Sequence, residues 1–524
     1  MTASRKPDTE NIGRTQDHGY ARLWWQLLIL GSVRFSEALA WTSVFPYAFF
    51  MMQSMLPEVP NRDGQAATYA SLAIGLFTFG EFLSGVARAK VSDRIGRKLT
   101  LIIGVIGTSS SALAFGFSTN VWMALGIRLF GGLVNPNVGV VSTCVGELVQ
   151  KKEHQGKGFS VVPFLRGLGG LTGPLIGGHL ANLVKNLLSA FREGTLWEIF
   201  LYLLPNLTVA LSIISSGLLA FLFLKESHPQ MQGRADLGRN LTSWIWGKFR
   251  DLFDKVDNRR YAKLDTEEDS IPLPTIEHVN DEDSVKKESE EFEIPECHQT
   301  LSDPARPKLS AYTSKVILQI LAVSLLAFHK VSSDVIIPTF LATPFDENYS
   351  SLDTRGLFKF AVGFGMELPS IGNVLLSQAI TVIISQMLIV PRAIDHFGPL
   401  KTFRWAVFAF PWLYCLTPFT ATLPYPLSLA VLLLDLWIKA ALVSLGYTSS
   451  AILLTNTSPT PEHLATVNGA AGAFGGLARS IGAAASGSLF NFGLTTGYIV
   501  LPFRTLGTIA AAGAVLVWFL DDKP

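Results

Sequence analysis

Apolar residues gather along the chain into twelve long blocks: Leu23–Met52, Ala66–Ala89, Leu99–Phe117, Val121–Gly146, Phe159–Val184, Leu196–Leu224, Ser314–Thr343, Phe358–Val390, Thr402–Thr422, Pro426–Leu454, Leu464–Phe492 and Tyr498–Leu520. About 18 apolar residues suffice for a helix to cross the roughly 30 Å hydrocarbon layer of a bilayer. Backbone polar groups inside lipid must be satisfied within the segment, so such blocks read as helices. The pattern predicts an all-α membrane protein with twelve transmembrane helices. Several blocks exceed twenty residues, so tilt or polar helix extensions are expected.

Ten of the eleven intervening stretches are short, but residues 225–313 form a long polar insertion between the sixth and seventh blocks. This divides the chain into a tail (1–22), a first six-helix bundle (23–224), a central loop (225–313), a second six-helix bundle (314–520) and a short end (521–524). The loop opens with Leu241, Trp244, Ile245, Phe249, Leu252, Phe253 and Val256 at helical spacing, which predicts an amphipathic helix. Residues 265–296 are rich in Asp and Glu and read as disordered. Two strings recur in the two halves. Asp93-Arg-Ile-Gly96-Arg-Lys98 after the second block is matched by Asp395-His-Phe-Gly398-Pro-Leu-Lys401 after the eighth. Arg166-x-x-Gly169 in the fifth block is matched by Arg479-x-x-Gly482 in the eleventh. An internal repeat of this kind predicts two pseudo-symmetric bundles.

Composition agrees: 49% of residues are hydrophobic and 16% charged, too little charge for a soluble surface of this size. The net charge of +1 gives no reason to expect nucleic acid. Cys144, Cys297 and Cys415 form no metal or disulfide pattern, and no metal is expected. The tail is too polar for a signal peptide, so the first helix is its own insertion signal. Basic residues set orientation. One set of short loops carries Lys90, Arg94, Arg97, Lys98, Lys151, Lys152, Lys157, Arg392, Lys401 and Arg404, and the other only Arg62, Lys185, Arg192 and Arg355. Both termini are therefore expected in the cytoplasm. Asn348-Tyr-Ser350, a glycosylation sequon, falls in a predicted outer loop.

The loop after the second block runs Gly85-Val-Ala-Arg-Ala-Lys-Val-Ser-Asp93-Arg94-Ile-Gly96-Arg97-Lys98. Gly96 permits a tight turn, and Asp93 can cap the next helix or accept from Arg97. With Glu147 as a partner for Arg97, the cluster is expected to latch the halves on the cytoplasmic side. This string resembles the signature of the major facilitator superfamily. In the fifth block, Gly169, Gly173, Pro174, Gly177 and Gly178 allow close helix approach and a bend. They resemble the glycine-proline motif of the superfamily's proton-coupled antiporters. Arg128-Leu-Phe-Gly131-Gly132 resembles its fourth-helix motif, with glycine at 131 where glutamine is common. Phe35-Ser-Glu37-Ala-Leu-Ala, Phe45-Pro46-Tyr47, Asn135 and Asn137 look like those of the zinc-induced facilitator-like branch and its fungal relatives.

A charge at mid-membrane costs at least about 2.5–3.5 kcal/mol on insertion scales. The first block carries Arg34 and Glu37, the fourth Arg128, the seventh His329, Lys330 and Asp334, and the tenth Asp435 and Lys439. In the superfamily those four helices line the central cavity, so these residues are expected to face an aqueous chamber. Glu37 is the candidate proton carrier. Burial favours its neutral form and a guanidinium its charged form, so movement of Arg128 relative to Glu37 would switch it. His329 is second, and Glu81 a further candidate. Asp334 with Lys330, and Asp435 with Lys439, are alternatively i,i+4 pairs. Arg166 and Arg479 are expected to be structural. Trp41, Phe45, Tyr47, Phe328, Tyr414 and Trp437 are candidates for lining a substrate site.

No catalytic constellation and no P-loop is present, so neither an enzyme nor direct ATP drive is indicated. The expected function is a secondary transporter, a proton-coupled antiporter exporting a small organic molecule by alternating access. It is expected to work as a monomer, with no cofactor beyond the proton gradient. Alternatives are proton-coupled transport of a metal chelate, organic anion or ion, and a non-transporting receptor. The plasma membrane is the expected location, with the vacuolar membrane as the alternative.

Overall fold

The computed structural model describes residues 9–135, 138–148, 152–186, 196–227, 231, 236, 238, 240–243, 313–344, 363–457 and 464–520. The chain divides into two compact units, Met1–Gly238 with Ala311–Pro524, and Arg239–Ser310. The second unit holds most of the predicted amphipathic helix and the acidic stretch, which lie outside the described residues, as do Asn137, Cys297 and Asn348.

The first unit is helical throughout. Its first half comprises α1 (Thr9–Thr42), α2 (Val44–Ser54), α3 (Arg62–Ile95), α4 (Arg97–Gly116), α5 (Val121–Val134), α6 (Val138–Leu148), α7 (Lys152–Asn186), α8 (Leu196–Ile199) and α9 (Leu203–Phe223). Its second half comprises α10 (Ser314–Ala342), α11 (Leu368–Ile384), α12 (Val390–Phe397), α13 (Pro399–Leu416), α14 (Leu427–Asn456), α15 (Leu464–Thr496) and α16 (Val500–Trp518). With α1–α2, α5–α6 and α11–α12 each taken as one crossing, and the four-residue α8 set aside, these make twelve spans. Among the described residues, eight segments are long and apolar enough to cross a membrane. The other four are α5–α6, α7, α13 and α15. Glycines and an arginine dilute α7 and α15, Lys401 and Arg404 lie within α13, and α5 stops after 14 residues.

Local chemistry sets many of the ends. Asn120 accepts from the Met123 amide at 2.8 Å, and Thr313 from the Val316 amide at 3.3 Å, capping α5 and α10. Pro369 and Pro399 occupy the first turns of α11 and α13, where a missing amide costs nothing. Several spans differ from their sequence blocks, the first and the eighth most of all. α1 begins at Thr9, a polar extension of the first block. The eighth span begins at Leu368 rather than Phe358. Ahead of it the chain is not helical, and the Gly365 and Met366 amides donate to the Thr343 and Leu341 carbonyls at 2.8 Å.

The predicted repeat is visible in the backbone. Gly96 joins α3 to α4 at φ 101°, ψ 159°, and Gly398 joins α12 to α13 at φ 77°, ψ 162°. That region is open essentially to glycine alone. Across the halves, α3 packs on α15 and α7 on α11. These are the same contact made twice, since the second span corresponds to the eighth and the fifth to the eleventh. Trp25, Trp122, Trp405 and Trp518 project outward near span ends, as the aromatic belts of membrane proteins do. Arg404 lies over the Trp518 ring, 5.2 Å from its centroid, and donates to the Leu520 carbonyl.

Candidate functional site: the chamber between the halves

The charged side chains of the interior fall into two groups. The first is locked into packing. Arg128 is buried, stacked over Phe77 at 4.5 Å and Phe115 at 5.4 Å, and donates to the Ala73 carbonyl. It makes no ion pair with Glu37, which pairs with Arg34 one turn away on α1. Asp435 and Lys439 pair at 2.8 Å on α14, with side chains 1% and 4% exposed, and both bond the Thr417 hydroxyl. His329 is buried against Phe410, with Nδ1 2.9 Å from the Tyr414 hydroxyl.

The expectation that all eight charged residues face water is therefore corrected. Arg34, Arg128, His329, Asp435 and Lys439 are buried, while Glu37, Lys330 and Asp334 are partly open. Hydropathy counts a charge but not the direction it points, and neighbouring helices settle that direction. Lys330 and Asp334 pair with each other on α10.

The second group lies where the halves face one another. Glu81 on α3 approaches Arg479 on α15 at 4.0 Å, an ion pair between the halves. Glu81 also accepts from the Asn135 amide group at 2.6 Å. Asn135 reaches it because α5 ends there: its backbone leaves helical geometry at ψ 128°. Glu37 and Arg88 lie within electrostatic range of Glu81. Arg166 on α7 lies within range of Arg34, Glu37, Glu81 and Arg479, and Tyr447 on α14 within range of Arg166, Arg479 and Asp334. Open space lies before Gly170 and Gly475, one turn from Arg166 and Arg479. Arg166 and Arg479, expected to be structural, are thus the arginines that open into the interior. Their recurrence at equivalent positions was the signal in the sequence. Tyr447 carried none.

Of the aromatic candidates, Phe45, Tyr47 and Tyr414 are buried. Trp41 packs on Phe45 and Phe77, and exposed Trp437 donates to Ser377 at 3.1 Å.

The loop motif forms a compact network. Arg97 donates to Asp93 at 2.6 Å, to Ser92 at 3.0 Å and to Glu147 at 3.3 Å. Glu226, beyond α9, accepts from the Arg97 and Lys98 amides at 2.9 and 3.1 Å, placing a carboxylate on the α4 N-terminus. Lys98 reaches both oxygens of Asp236 at 2.7 Å. Arg94 is exposed, and Gly85 lies on α3. Asp93 thus partners Arg97, while the cap comes from Glu226. Among the described residues all partners of Arg97 lie in the first half, so in this conformation the cluster ties α3, α4 and α6 together rather than joining the halves.

The glycine stripe of α7 has two faces. A Cβ on Gly169 would fall 2.9 Å from the Phe35 carbonyl carbon, one on Gly173 2.9 Å from the Ser43 nitrogen, and one on Gly177 2.8 Å from the Ser43 carbonyl carbon. Gly169 packs against α1 itself, and Gly173 and Gly177 against the break between α1 and α2. Gly178 instead faces α11 in the other half, where its Cβ would fall 2.8 Å from the Gly372 Cα. The Pro174 carbonyl abuts Gly372 as well.

Two helical halves related by an internal repeat, with charged side chains of both meeting where they face one another, define a secondary membrane transporter. The chain belongs to the Major Facilitator Superfamily, whose family profile matches residues 31–343. It is 33% identical over 97% of its length, and 86% of the relative, to the "Major facilitator superfamily multidrug transporter mfsB" of Aspergillus fumigatus. It is 30% identical to "Protein ZINC INDUCED FACILITATOR-LIKE 1" of Arabidopsis thaliana over 36% of this chain and 38% of that one. Among solved structures, a bacterial homologue of the human lysosomal transporter Spinster, inward-facing and occupied, superposes with a TM-score of 0.60. It is 13% identical and covers 99% of each chain, a likeness of fold. The protein is a multi-pass membrane transporter of this superfamily.

Proposed function

We propose that the protein is a proton-coupled antiporter that exports a small organic molecule from the cytoplasm, acting as a monomer in the plasma membrane with both termini inside. The supporting observation is the carboxylate pair Glu37 and Glu81, mutually within electrostatic range, with one member bridged to Arg479 of the opposite half. A proton taken up by either carboxylate weakens its hold on its arginine, and a change in the Glu81–Arg479 contact alters how the halves meet. This couples protonation to alternation of access. Glu37 is the principal proton site because among the described residues it pairs only with Arg34, and it stays partly open.

The helix packing supports an exit-side closure. Near the ends expected to lie outside, Gly64 abuts Asn491, Gly487 abuts Ser71, and Gly178 abuts Gly372. Toward the opposite end, a Cβ on Gly469 or Gly472 of α15 would meet nothing within 4 Å among the described residues. On the orientation read from the basic loops, these contacts support a form open to the cytoplasm and ready to load. The relative's printed role in multidrug transport supports an organic cargo.

The test is purified protein in proteoliposomes with an imposed pH gradient and a panel of labelled organic compounds. Glu37→Gln is expected to lose gradient-driven accumulation by at least about tenfold while retaining substrate counterflow. A Glu37→Gln protein that still accumulates substrate in response to the gradient removes Glu37 from the mechanism.

A further inference from the structure

The fold makes its cross-half contact twice, but only one copy is electrically complete. In the α3–α15 copy, Arg479 has Glu81 as its partner. In the α7–α11 copy, Arg166 stands at the matching position, since Arg166-x-x-Gly169 recurs as Arg479-x-x-Gly482. The facing span offers it no acid: from residue 368 to 394 there is no Asp or Glu at all. On that span Ile383 lies by Gly167, its Cγ1 3.8 Å from where a Cβ on Gly167 would sit.

Among the described residues Arg166 has no ion pair or hydrogen bond of its own, and it is exposed. The surrounding charge is positive in balance. Arg34, Arg88, Arg166 and Arg479 gather around Glu37 and Glu81, and both carboxylates are already taken, by Arg34 and Arg479. A guanidinium in a confined, low-dielectric chamber attracts anions more strongly than one in bulk water. Its planar fork matches a carboxylate or phosphate with two parallel hydrogen bonds. Tyr447, within range of Arg166 and Arg479, adds a hydroxyl from the second half.

We propose that Arg166 is the anchoring residue for an oxyanion, a carboxylate or phosphate group, carried by the transported molecule. The substrate supplies the negative charge that α11 lacks, and so completes the second cross-half contact as Glu81 completes the first. A substrate bound this way touches α7 of one half and Tyr447 of the other. This inference rests on the transporter reading above and narrows its cargo.

The experiment is counterflow in proteoliposomes of the full chain, using labelled salicylate, citrate and p-nitrophenyl phosphate as anions. Tetraphenylphosphonium serves as a cation, and a neutral aromatic amide as a third probe. Wild-type protein is expected to carry at least one anion. Arg166→Gln is expected to raise its KM at least tenfold with thermal stability unchanged. Arg166→Lys is expected to recover part of the affinity, a rescue that a packing role would not produce. Two results overturn the proposal: anion counterflow unaffected by Arg166→Gln, or wild-type protein that carries only the cation or the neutral probe. The latter leaves the exporter reading standing. Movement of none of the probes removes both.

Discussion

Two ion pairs of nearly the same composition lie deep in the molecule and serve opposite ends. Asp435–Lys439 sits within one helix, sealed from solvent and bonded to Thr417. Glu81–Arg479 spans two helices of different halves, 4.0 Å apart, with the arginine 33% exposed. The first holds one half together. The second holds a particular relation between the halves and lies open to water. A charge inside a membrane protein is therefore a question of which surfaces it bridges. Its depth alone does not identify a working site.

Three substitutions sharpen this contrast. Asp435→Asn leaves Lys439 buried without its counter-ion, a change that costs about 3–5 kcal/mol in buried pairs. A large fall in the thermal unfolding temperature of the detergent-solubilised protein is expected, and replacing both residues by leucine should restore much of it. If Asp435→Asn unfolds with the wild type, the pair is no lock. Thr417→Val removes the hydroxyl shared by both charges at a cost of about 1–3 kcal/mol, with the transport rate of the folded fraction unchanged. Glu81→Gln should alter stability least, by about 0–1 kcal/mol for a partly exposed pair. Its effect should appear instead in accessibility: cysteines placed along α15 should change their labelling rate from the two aqueous sides. A Glu81→Gln protein with lowered stability and unaltered labelling would place this pair in the same class as Asp435–Lys439.

Much of the architecture was legible in residue order. Twelve apolar blocks correspond to twelve crossings because hydrophobic length is a one-dimensional property. The repeat between Asp93–Lys98 and Asp395–Lys401 appears as the shared backbone geometry of Gly96 and Gly398, because glycine at a forbidden φ is also a local signal. What one dimension does not carry is rotation about each helix axis. Arg128 and Arg166 are each a lone arginine in a long apolar block, yet one is clamped between phenylalanine rings and the other opens inward. Phe77 and Phe115 come from α3 and α4, and their convergence on Arg128 depends on how three helices pack. The same holds for His329, whose cover of Phe410 and Tyr414 comes from α13. Glu226 capping α4 joins residues 129 apart in sequence, and no local pattern announces it.

Gly177 and Gly178 are consecutive, yet one lies against the bend of the first span and the other against the eighth. Neither contact leaves room for a methyl group, so α7 works as a shaft running in two bearings at once. A twist or slide of that shaft cannot be confined to one bearing. Any rearrangement of the first span, where Glu37 sits, reaches the opposite half through a single turn of helix.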